Sequence, residues 1–250
     1  MKILKDKVAI VTGAGSGIGA AIALAYHHEG ASVIVADVDV EGGKSTVNKI
    51  KEDGGKAHFI ESDVSKPDDC KKAVDTAVEK YGGLHIACNN AGIGGEPALI
   101  GDLKTKEWDK VIQVNLNGVF YGMHYQIPAI IESGGGAIVN IASILGKVGF
   151  ESSSAYVAAK HGVIGLTKNA GLEYGGQGIR INAVGPGFIN TPLLEENLNE
   201  EQLKQMAGLH PIGRLGEAEE VAELVLWLSS DKASFATGTY YPLDGGYLAR

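Results

Sequence analysis

Short apolar runs alternate with helix-like stretches along the whole chain, and this alternation restricts the fold more than any other feature. Lys7–Thr12 and Ser32–Ala36 are short, largely apolar and rich in β-branched residues, whereas Ile18–His28 between them carries small and apolar residues at helical spacing. Strands that are apolar on both faces are typical of a parallel sheet covered by helices on both sides. The alternation therefore predicts an α/β fold.

The rest of the chain continues the pattern and completes a set of seven strands and six helices. The predicted strands are Lys7–Thr12, Ser32–Ala36, Ala57–Glu61, Leu84–Cys88, Ala137–Ile141, Ile179–Val184 and Thr239–Leu243. The predicted helices are Ile18–His28, Lys44–Glu52, Pro67–Tyr81, Trp108–Ile131, Ser154–Tyr174 and Glu217–Ser229. A length of 250 residues fits one such domain. Because the chain has no tandem repeat or low-complexity linker, we expect a single domain over residues 1–250.

A glycine-rich turn follows the first predicted strand. Gly13, Gly17 and Gly19 permit a tight turn, and the helix that follows points its N–H groups and its dipole at that turn, a field that suits a pyrophosphate. Taken alone, such a turn is as often a simple strand-to-helix connection. Asp37 ends the second strand about 20 residues after Gly17, where an acid can accept hydrogen bonds from ribose hydroxyls. The combination predicts a dinucleotide site.

Four polar residues are candidates for chemistry. Tyr156 and Lys160 are four residues apart on a predicted helix, so their side chains project from one face. A nearby ammonium lowers the pKa of a phenol, although such a pair without context is more often an ordinary surface pair. Ser143 follows the fifth strand and could hold a substrate oxygen or simply end the strand. Asn115, a mediocre helix former, lies in an apolar helical pattern and could equally be an exposed position.

Several motifs give these residues a common context. The glycine turn reads TGxxxGxG, because Ile18 stands where GxGxxG would place a glycine or alanine, and Asn89–Gly92 reads NNAG. With Tyr156-x-x-x-Lys160, the chain resembles the short-chain dehydrogenases/reductases, in their compact branch of about 250 residues. The resemblance covers essentially the whole length. It implies a single-domain, doubly wound Rossmann fold whose seven parallel strands carry helices on both faces.

The resemblance also implies where a dinucleotide would lie. Asp63-Val64 would meet the adenine, and the PGxIxT segment that begins at Pro186 would meet the nicotinamide. The implied cofactor-binding residues are Gly13, Ser16, Gly17, Ile18, Gly19, Asp37, Asp63, Val64, Asn89, Ala91, Gly92, Tyr156, Lys160, Pro186, Gly187, Ile189 and Thr191. No metal site is expected.

Residue by residue, the family's catalytic tetrad matches Asn115, Ser143, Tyr156 and Lys160. Tyr156 would act as general base in alcohol oxidation and as general acid in ketone reduction. Ser143 would orient the substrate oxygen. Lys160 would lower the pKa of Tyr156 and hold the nicotinamide ribose, and Asn115 would secure a water that connects Lys160 to solvent.

The expected function is NAD(H)-dependent interconversion of a secondary alcohol and a ketone. Asp37 favours NAD, since it would repel a 2′-phosphate and no basic residue stands at Ala14 or Val38 to offset it. The closest alternative is a 3-oxoacyl-carrier-protein reductase, which shares the tetrad and commonly prefers NADPH. A nucleotide-sensing protein without activity and a sugar-nucleotide epimerase are the further alternatives, disfavoured by the intact tetrad and by the chain length respectively.

Three segments follow the carboxyl ends of strands and are expected to wall the substrate pocket: Gly94–Leu99, Leu145–Ser153 and Phe188–Met206. They contain few charges, which favours a small, neutral, fairly apolar alcohol or ketone; a cyclic compound fits, and the sequence leaves sugars and steroids open. The apolar residues that they supply are Ile144 at one border, Leu145, Val148, Phe150, Phe188, Leu193 and Leu194.

Composition limits the partners. A net charge of −8 gives no electrostatic route to nucleic acid or to anionic lipid. No apolar run is long enough for a membrane span, and the start of the chain lacks a signal peptide, so a cytoplasmic location is expected. Small and apolar residues on the helices around Asn115 and Tyr156 allow close packing, and related enzymes pair through these helices and through the C-terminal strand. We therefore expect a homotetramer.

Overall fold

The computed structural model describes residues 2–191, 194 and 199–249, and its centre is a seven-stranded parallel sheet. The strands follow the order β3-β2-β1-β4-β5-β6-β9, so the order reverses direction between β1 and β4. The strands are β1 (Val8–Thr12), β2 (Ser32–Asp37), β3 (Ala57–Glu61), β4 (Ile86–Asn89), β5 (Gly136–Ile141), β6 (Ile179–Pro186) and β9 (Tyr240–Leu243). This is the doubly wound arrangement that the alternating pattern predicts.

Helices cover both faces of the sheet. They are α1 (Gly17–His28), α2 (Val40–Glu52), α3 (Pro67–Tyr81), α4 (Thr105–Ile112), α5 (Gly118–Glu132), α6 (Ser154–Tyr174), α7 (Glu200–Gly208) and α8 (Ala218–Ser229). On one face α1 packs against α8, and on the other α3 packs against α5. Among the described residues, no helix combines the length and the apolar character that crossing a membrane would require.

Alternate residues of each strand supply two separate cores. In β1, Ala9 and Val11 join the core beneath α1 and α8, whereas Val8 and Ile10 join the core beneath α3, α5 and α6. All four side chains are buried. A strand buried on both faces explains why β1 is apolar at successive positions and not at alternate ones.

The predicted helix Trp108–Ile131 was wrong in its bounds, and it is not α-helical throughout. It begins at Thr105, passes through a π-helical turn over Gln113–Asn117, and continues as α5. The Asn115 amide donates to the carbonyl of Val111 and also to the carbonyl of Ile93 in a neighbouring loop. The asparagine side chain therefore takes part in the bonding of the turn, as π-bulges at functional sites often do.

Other boundaries shift for local reasons. Helix α2 begins four residues before the predicted Lys44, because the Asp39 carboxylate accepts a hydrogen bond from the backbone N–H of Glu41 and caps the helix. Strand β4 begins at Ile86, after Leu84, whose N–H donates to the Ser133 hydroxyl. The weakly patterned segment after β6 contains a short strand, β7 (Ile189–Asn190), which pairs with β8 (Gly216–Glu217).

Candidate active site

The carboxyl ends of the central strands bring most of the candidate residues to one edge of the sheet. Strand β1 ends beside the glycine turn, β2 ends at Asp37, β4 at Asn89, β5 two residues before Ser143, and β6 at Pro186. Ligands of open α/β sheets bind outside this edge, at the point where the strand order reverses. Here that point lies between β1 and β4.

The glycine turn leads into a helix end that is open to an anion. Ser16 is extended at the N-cap of α1, yet no described side chain caps the helix, and its first turn carries no acidic residue. Gly13 and Gly17 have φ of 63° and 50°, in the region that favours glycine. A Cβ at Gly19 would collide with the carbonyl of Gly13. The turn therefore places N–H groups and the positive end of the α1 dipole at its surface.

Asn90 and Thr12 hold this turn in place, although neither was predicted as a site residue. The Asn90 amide donates to the carbonyls of Thr12 and Gly13, each at 3.0 Å. The Thr12 hydroxyl accepts from the N–H groups of Asn90 and Ala91, at 3.0 and 3.2 Å. These bonds join the ends of β1 and β4. The NNAG motif contained the signal, but a motif does not tell which of its two asparagines faces the turn.

Asp37 is fixed beside the same turn. Its Oδ2 accepts from the N–H of Gly15 at 2.7 Å, and its Oδ1 accepts from the N–H of Asp39 at 2.9 Å. The side chain is half-buried, and the neighbouring Val38 is exposed. A carboxylate with one bond to each oxygen keeps lone pairs for further donors such as ribose hydroxyls.

Asp63 and Val64 lie in the loop after β3. The Asp63 carboxylate accepts from the hydroxyl of Ser65 at 2.6 Å, which lowers the pKa of that carboxyl. The Asp63 N–H donates to the Asp69 carboxylate at 2.9 Å. Val64 packs against α5, since a Cβ at Gly118 would lie 2.9 Å from its Cγ2. The loop is thus ordered by its own bonds.

The side chain of Asn89 does not join the other predicted cofactor residues. It is buried among polar groups, and its amide nitrogen donates to Gln126 at 3.1 Å and to Asn140 at 2.9 Å. Gln126 donates back to the Asn89 oxygen at 2.8 Å, and Asn140 donates to the Thr167 hydroxyl at 2.9 Å. These side chains join β4, α5, β5 and α6. Only the backbone of Asn89 remains available for a cofactor contact.

Lys160 is buried on the inner face of α6. Only 3% of it is exposed, and its ammonium donates to the carbonyl of Ile141 at 2.8 Å. The same nitrogen lies 5.4 Å from the centre of the Tyr156 ring. Burial lowers the pKa of Lys160 to about 8, because desolvation disfavours the charged form.

The Tyr156 phenol behaves differently from the sequence-based expectation. Burial raises its pKa above the ordinary value, and the hydrogen bond with Ser143 lowers it by less. The net shift of this pKa is therefore upward and not downward as predicted, because desolvation is its largest cause. The role of Lys160 in stabilising the phenolate stays a prediction. Ser143 itself is buried, accepts from the N–H of Leu145 at 3.1 Å, and has its carbonyl bound by the Tyr240 hydroxyl at 3.0 Å. Tyr240 is a third residue of this site that was not predicted from sequence.

Asn115 completes the group from the π-helical turn. It is fully buried, and its oxygen accepts from the N–H of Ile93 at 3.0 Å while its nitrogen donates to the carbonyl of Ile93 at 2.8 Å. A Cβ built on Gly92 would contact the Asn115 oxygen at 2.5 Å and would lie 3.7 Å from the Lys160 nitrogen. Because Gly92 has no side chain, the Asn115 oxygen and the Lys160 nitrogen can both lie close to its backbone.

The segment after β6 returns to the glycine turn. Pro186 pairs with Leu243 of β9, and the Gly187 N–H donates to the Leu243 carbonyl at 2.9 Å. Ile189 is buried in β7. A Cβ at Gly17 would lie 3.3 Å from the Thr191 methyl group, so the predicted nicotinamide segment reaches the start of α1.

Two of the predicted walls meet beside Tyr156. The phenol lines a narrow cleft with Gly94–Glu96 and Ser152–Ala155. Phe150 and Phe188, from the second and third walls, are in edge contact with ring centres 6.0 Å apart. Behind Phe188 lies a cavity of about 170 Å³ that none of the four tetrad candidates lines. Of the predicted third wall, Leu193 and residues 192 and 195–198 lie outside the described residues.

These features fit a dinucleotide. A turn that a Cβ would obstruct, a helix end without a described cap, and a carboxylate at the end of β2 match a pyrophosphate and a ribose in that order. A nicotinamide would then lie toward Thr191, Tyr156 and Lys160, on the side where Ser143 also lies. The residues present are therefore suited to NAD.

Comparison with known proteins gives matches over almost the whole chain. Residues 13–248 match the family model described as enoyl-(acyl carrier protein) reductase. The chain is 53% identical over 245 residues to cyclohexanol dehydrogenase of Acinetobacter sp. (strain SE19), covering 98% of this chain and 96% of that one. It is 42% identical over 245 residues to 3-oxoacyl-(acyl-carrier-protein) reductase of Thermotoga maritima, covering 98% and 99%.

A solved structure matches equally completely. The crystal structure of carveol dehydrogenase from Mycobacterium avium in complex with NAD superposes with a TM-score of 0.94. The two chains are 28% identical, and the match covers 100% of each.

Proposed function

The chain belongs to the short-chain dehydrogenase/reductase family, and from this premise we propose that it interconverts a secondary alcohol and a ketone with NAD(H). The observation that carries the proposal is that Ser143 and Lys160 both contact Tyr156, at the same edge of the sheet as a glycine turn suited to a pyrophosphate. All three come from elements that meet at the ligand-binding edge of the sheet. Such a group can hold a substrate oxygen and move its proton.

Tyr156 is the residue that exchanges the proton. Its raised pKa keeps the phenol protonated at neutral pH, so it is ready to donate to the oxygen of a ketone as that oxygen gains charge. In the opposite direction the phenolate would remove the proton of an alcohol. Ser143 is placed to hold the same oxygen, since its hydroxyl already contacts Tyr156.

Lys160 and Asn115 act from the buried side. The Lys160 ammonium is anchored to the Ile141 carbonyl and faces the Tyr156 ring, where it stabilises negative charge on the phenol oxygen. Asn115 fixes the backbone of Ile93 and thereby the space around the Lys160 nitrogen. We assign it the role of holding a water between Lys160 and solvent.

NAD is the cofactor that these residues would hold. When bound, it supplies hydride transfer at its nicotinamide ring. The glycine turn and the start of α1 would bind its pyrophosphate, and Asp37 its adenosine ribose. Asp63, Val64 and the backbone of Asn89 would lie along the adenine half. NAD in the matched carveol dehydrogenase structure supports the choice.

The substrate class is a small alicyclic alcohol or ketone. The relative at 53% identity is named for cyclohexanol, a six-membered ring that carries one secondary hydroxyl. Phe150 and Phe188, from two of the predicted walls, are in edge contact with each other, and apolar walls of this kind suit a ring without charge.

A rate assay tests the function directly. Purified protein should oxidise cyclohexanol with NAD and reduce cyclohexanone with NADH, measured by NADH absorbance. Tyr156→Phe should lower turnover below about a tenth of the wild-type value while NADH still binds, since only the proton donor is lost. Tyr81→Phe, a partly buried tyrosine on α3, is the matched control and should keep full activity. Equal activity of the two variants would overturn the assignment.

Reduction of a 3-oxoacyl-carrier-protein is the second candidate. The 42% identity to the Thermotoga enzyme favours it. The net charge of −8 opposes docking of an acidic carrier protein. Reduction of an acetoacetyl thioester with NADPH at a higher kcat/KM than cyclohexanone with NADH would establish this candidate instead.

The proposal also covers the domain organisation, the assembly and the location of the protein. We propose a single domain over residues 1–250, a homotetramer, and a cytoplasmic location, with no nucleic-acid partner. The support for the location is that Cys70 and Cys88 are both unpaired and buried, as in reducing compartments. Cell fractionation tests the location, and light scattering tests the assembly.

A further inference from the structure

Two histidines and an aspartate meet at the edge of the sheet opposite the catalytic one. His27 and His28 end helix α1, and Asp53 follows the last residue of α2. Within residues 2–191, 194 and 199–249, this is the one group of three or more His, Cys, Asp or Glu side chains whose ligand atoms all lie within 4.8 Å of one another. From this arrangement we propose that the protein binds a divalent first-row metal ion of the Zn²⁺ type through His27, His28 and Asp53.

The distances fit one ion. The Asp53 Oδ2 atom lies 2.9 Å from Nε2 of His27 and 3.5 Å from Nε2 of His28. Around a tetrahedral Zn²⁺ with ligand bonds of about 2.0–2.1 Å, two ligand atoms lie about 3.3 Å apart. The two measured separations fall on either side of that value. Small rotations of exposed side chains would bring three ligands to one centre, with the fourth position left to water.

The donor set selects the class of ion. Two imidazole nitrogens and one carboxylate oxygen are the ligands that Zn²⁺ and its neighbours in the first row prefer, whereas Ca²⁺ and Mg²⁺ prefer sites made of oxygen. A metal ion binds the unprotonated nitrogen of each imidazole, so binding releases any proton held between His27 and Asp53.

One ligand is already held in place. His27 is 5% exposed, and its ring lies against Gly55, where a Cβ would collide with Nδ1. The other two ligands are 61% and 64% exposed and reach the same point from the surface. A fixed inner ligand with two adaptable outer ones gives an ion an open path from solvent.

The backbone also favours a cation at this cluster. Helices α1 and α2 both end at this cluster, and the C-terminal end of a helix carries a partial negative charge that favours cations. Because α1 has 12 residues, at 1.5 Å per residue the cluster lies about 18 Å from the glycine turn at its other end. The ion would therefore join the ends of α1 and α2 without touching the chemistry.

Titration of tag-free, chelator-treated protein tests the site. Calorimetry with Zn²⁺ should show one ion per chain and a rise in Tm, and Co²⁺ should give the visible absorption of a four-coordinate site with nitrogen and oxygen ligands. His28→Gln and Asp53→Asn should each weaken Zn²⁺ binding by more than about tenfold. Tenfold is roughly the loss when a group that only hydrogen-bonds to a metal ligand is removed. Both positions are exposed, so the variants should still fold. His161→Gln, at an exposed histidine on α6, should bind as wild type does.

The outcomes separate this proposal from the proposed enzymatic function. Dehydrogenase activity should be unchanged in His28→Gln and Asp53→Asn. If Zn²⁺ binds equally tightly to wild type and to both variants, or shows no saturable binding, the cluster is a plain hydrogen-bonded group and the proposal is overturned, whatever the activity assay shows.

Discussion

Burial of the Lys160 ammonium lowers the free energy of unfolding. In an unfolded chain its pKa would be near 10.5, and in the fold burial lowers it to about 8. Between these two values the unfolded state binds more protons than the folded state, so folding stability rises with pH. Below pH 8 the cost of burying the charge is present in full.

This gives a prediction that a difference measurement can isolate. Between pH 7 and pH 9 the wild-type free energy of unfolding should rise by about 1 kcal/mol relative to that of Lys160→Met, because only the wild type sheds the buried charge. Urea denaturation at the two pH values measures it. The difference removes other titrating groups, such as Cys70, whose pKa burial raises to about 11. Lys72→Met, at an exposed lysine of α3, should follow the wild type, and a flat difference for Lys160→Met would contradict the prediction.

Tyr156 tests the opposite direction of shift. Because burial raises its pKa, the cofactor-free protein should show no Tyr156 phenolate below pH ~10. The near-ultraviolet phenolate absorbance of wild type minus that of Tyr156→Phe measures it. Appearance of the phenolate near neutral pH would restore the expectation from sequence, in which Lys160 dominates.

Asp37 should decide between the two nicotinamide cofactors. Its carboxylate is fixed beside the glycine turn by Gly15 and Asp39, and a 2′-phosphate there would meet like charge. We expect kcat/KM to favour NAD over NADP by about tenfold or more, since a third of a ~4 kcal/mol repulsion already gives that ratio. Asp37→Ala combined with Val38→Arg should narrow or reverse the preference. Equal use of both cofactors by the wild type would favour the carrier-protein reductase.

Single residues were predictable from sequence to the extent that a motif fixes both their position and their direction. The Tyr156–Lys160 spacing correctly placed the two side chains near each other on one helix face. It could not give the sign of the pKa shift of Tyr156, since desolvation depends on residues far away in sequence. The NNAG motif likewise could not show that the Asn89 side chain bonds to Gln126 and Asn140, which leaves only its backbone for the predicted cofactor contact.

At the scale of elements, a buried polar network sets the register of α6 on the sheet. Asn140 of β5 donates to the Thr167 hydroxyl of α6 at 2.9 Å, and that hydroxyl donates to the Val163 carbonyl at 2.8 Å. Thr167 lies two helical turns after Lys160. The network therefore helps to hold the helix that carries both Tyr156 and Lys160.

Thr167→Val should expose the energy of this contact. The variant keeps the shape of the side chain but leaves the Asn140 amide with a weaker set of acceptors, so we expect a loss of about 1–3 kcal/mol in the free energy of unfolding. Thr76→Val is a matched control, since Thr76 also donates to a carbonyl four residues earlier, at 2.7 Å, but that bond is exposed. Equal losses in the two variants, measured by urea denaturation, would show that the Asn140 bond contributes nothing.

Elements were predictable where their signal is local. The strands and helices of the two cores appear in the predicted order, because burial on both faces leaves a continuous apolar run. The π-helical turn at Gln113–Asn117 was not predictable, since Asn115 bonds there to Ile93, a residue of another loop. The short strand β7 was missed because its partner β8 lies far along the chain.

At the scale of the whole molecule, the surface keeps large apolar side chains near the edge strand β9. Leu172 near the end of α6 is 86% exposed, and Phe235 shortly before β9 is fully exposed. Gly171 packs against Gly238, which places Leu172 beside the approach to that strand. Trp227 of α8 is 39% exposed and contacts Tyr241 of β9. Exposed apolar patches at a sheet edge mark interfaces between chains.

This surface makes the assembly testable. If two dimers pair through β9, light scattering of the wild type should give four times the 26.1 kDa chain mass. Leu172→Glu would put a charge into that contact on every chain and should reduce the mass to that of a dimer, while the other interface stays intact. Val78→Glu, on the outer face of α3 and 42% exposed, adds the same charge elsewhere and should leave the tetramer unchanged. A wild-type monomer at micromolar concentration would contradict the proposed assembly, and a tetramer that survives Leu172→Glu would place its interface away from β9.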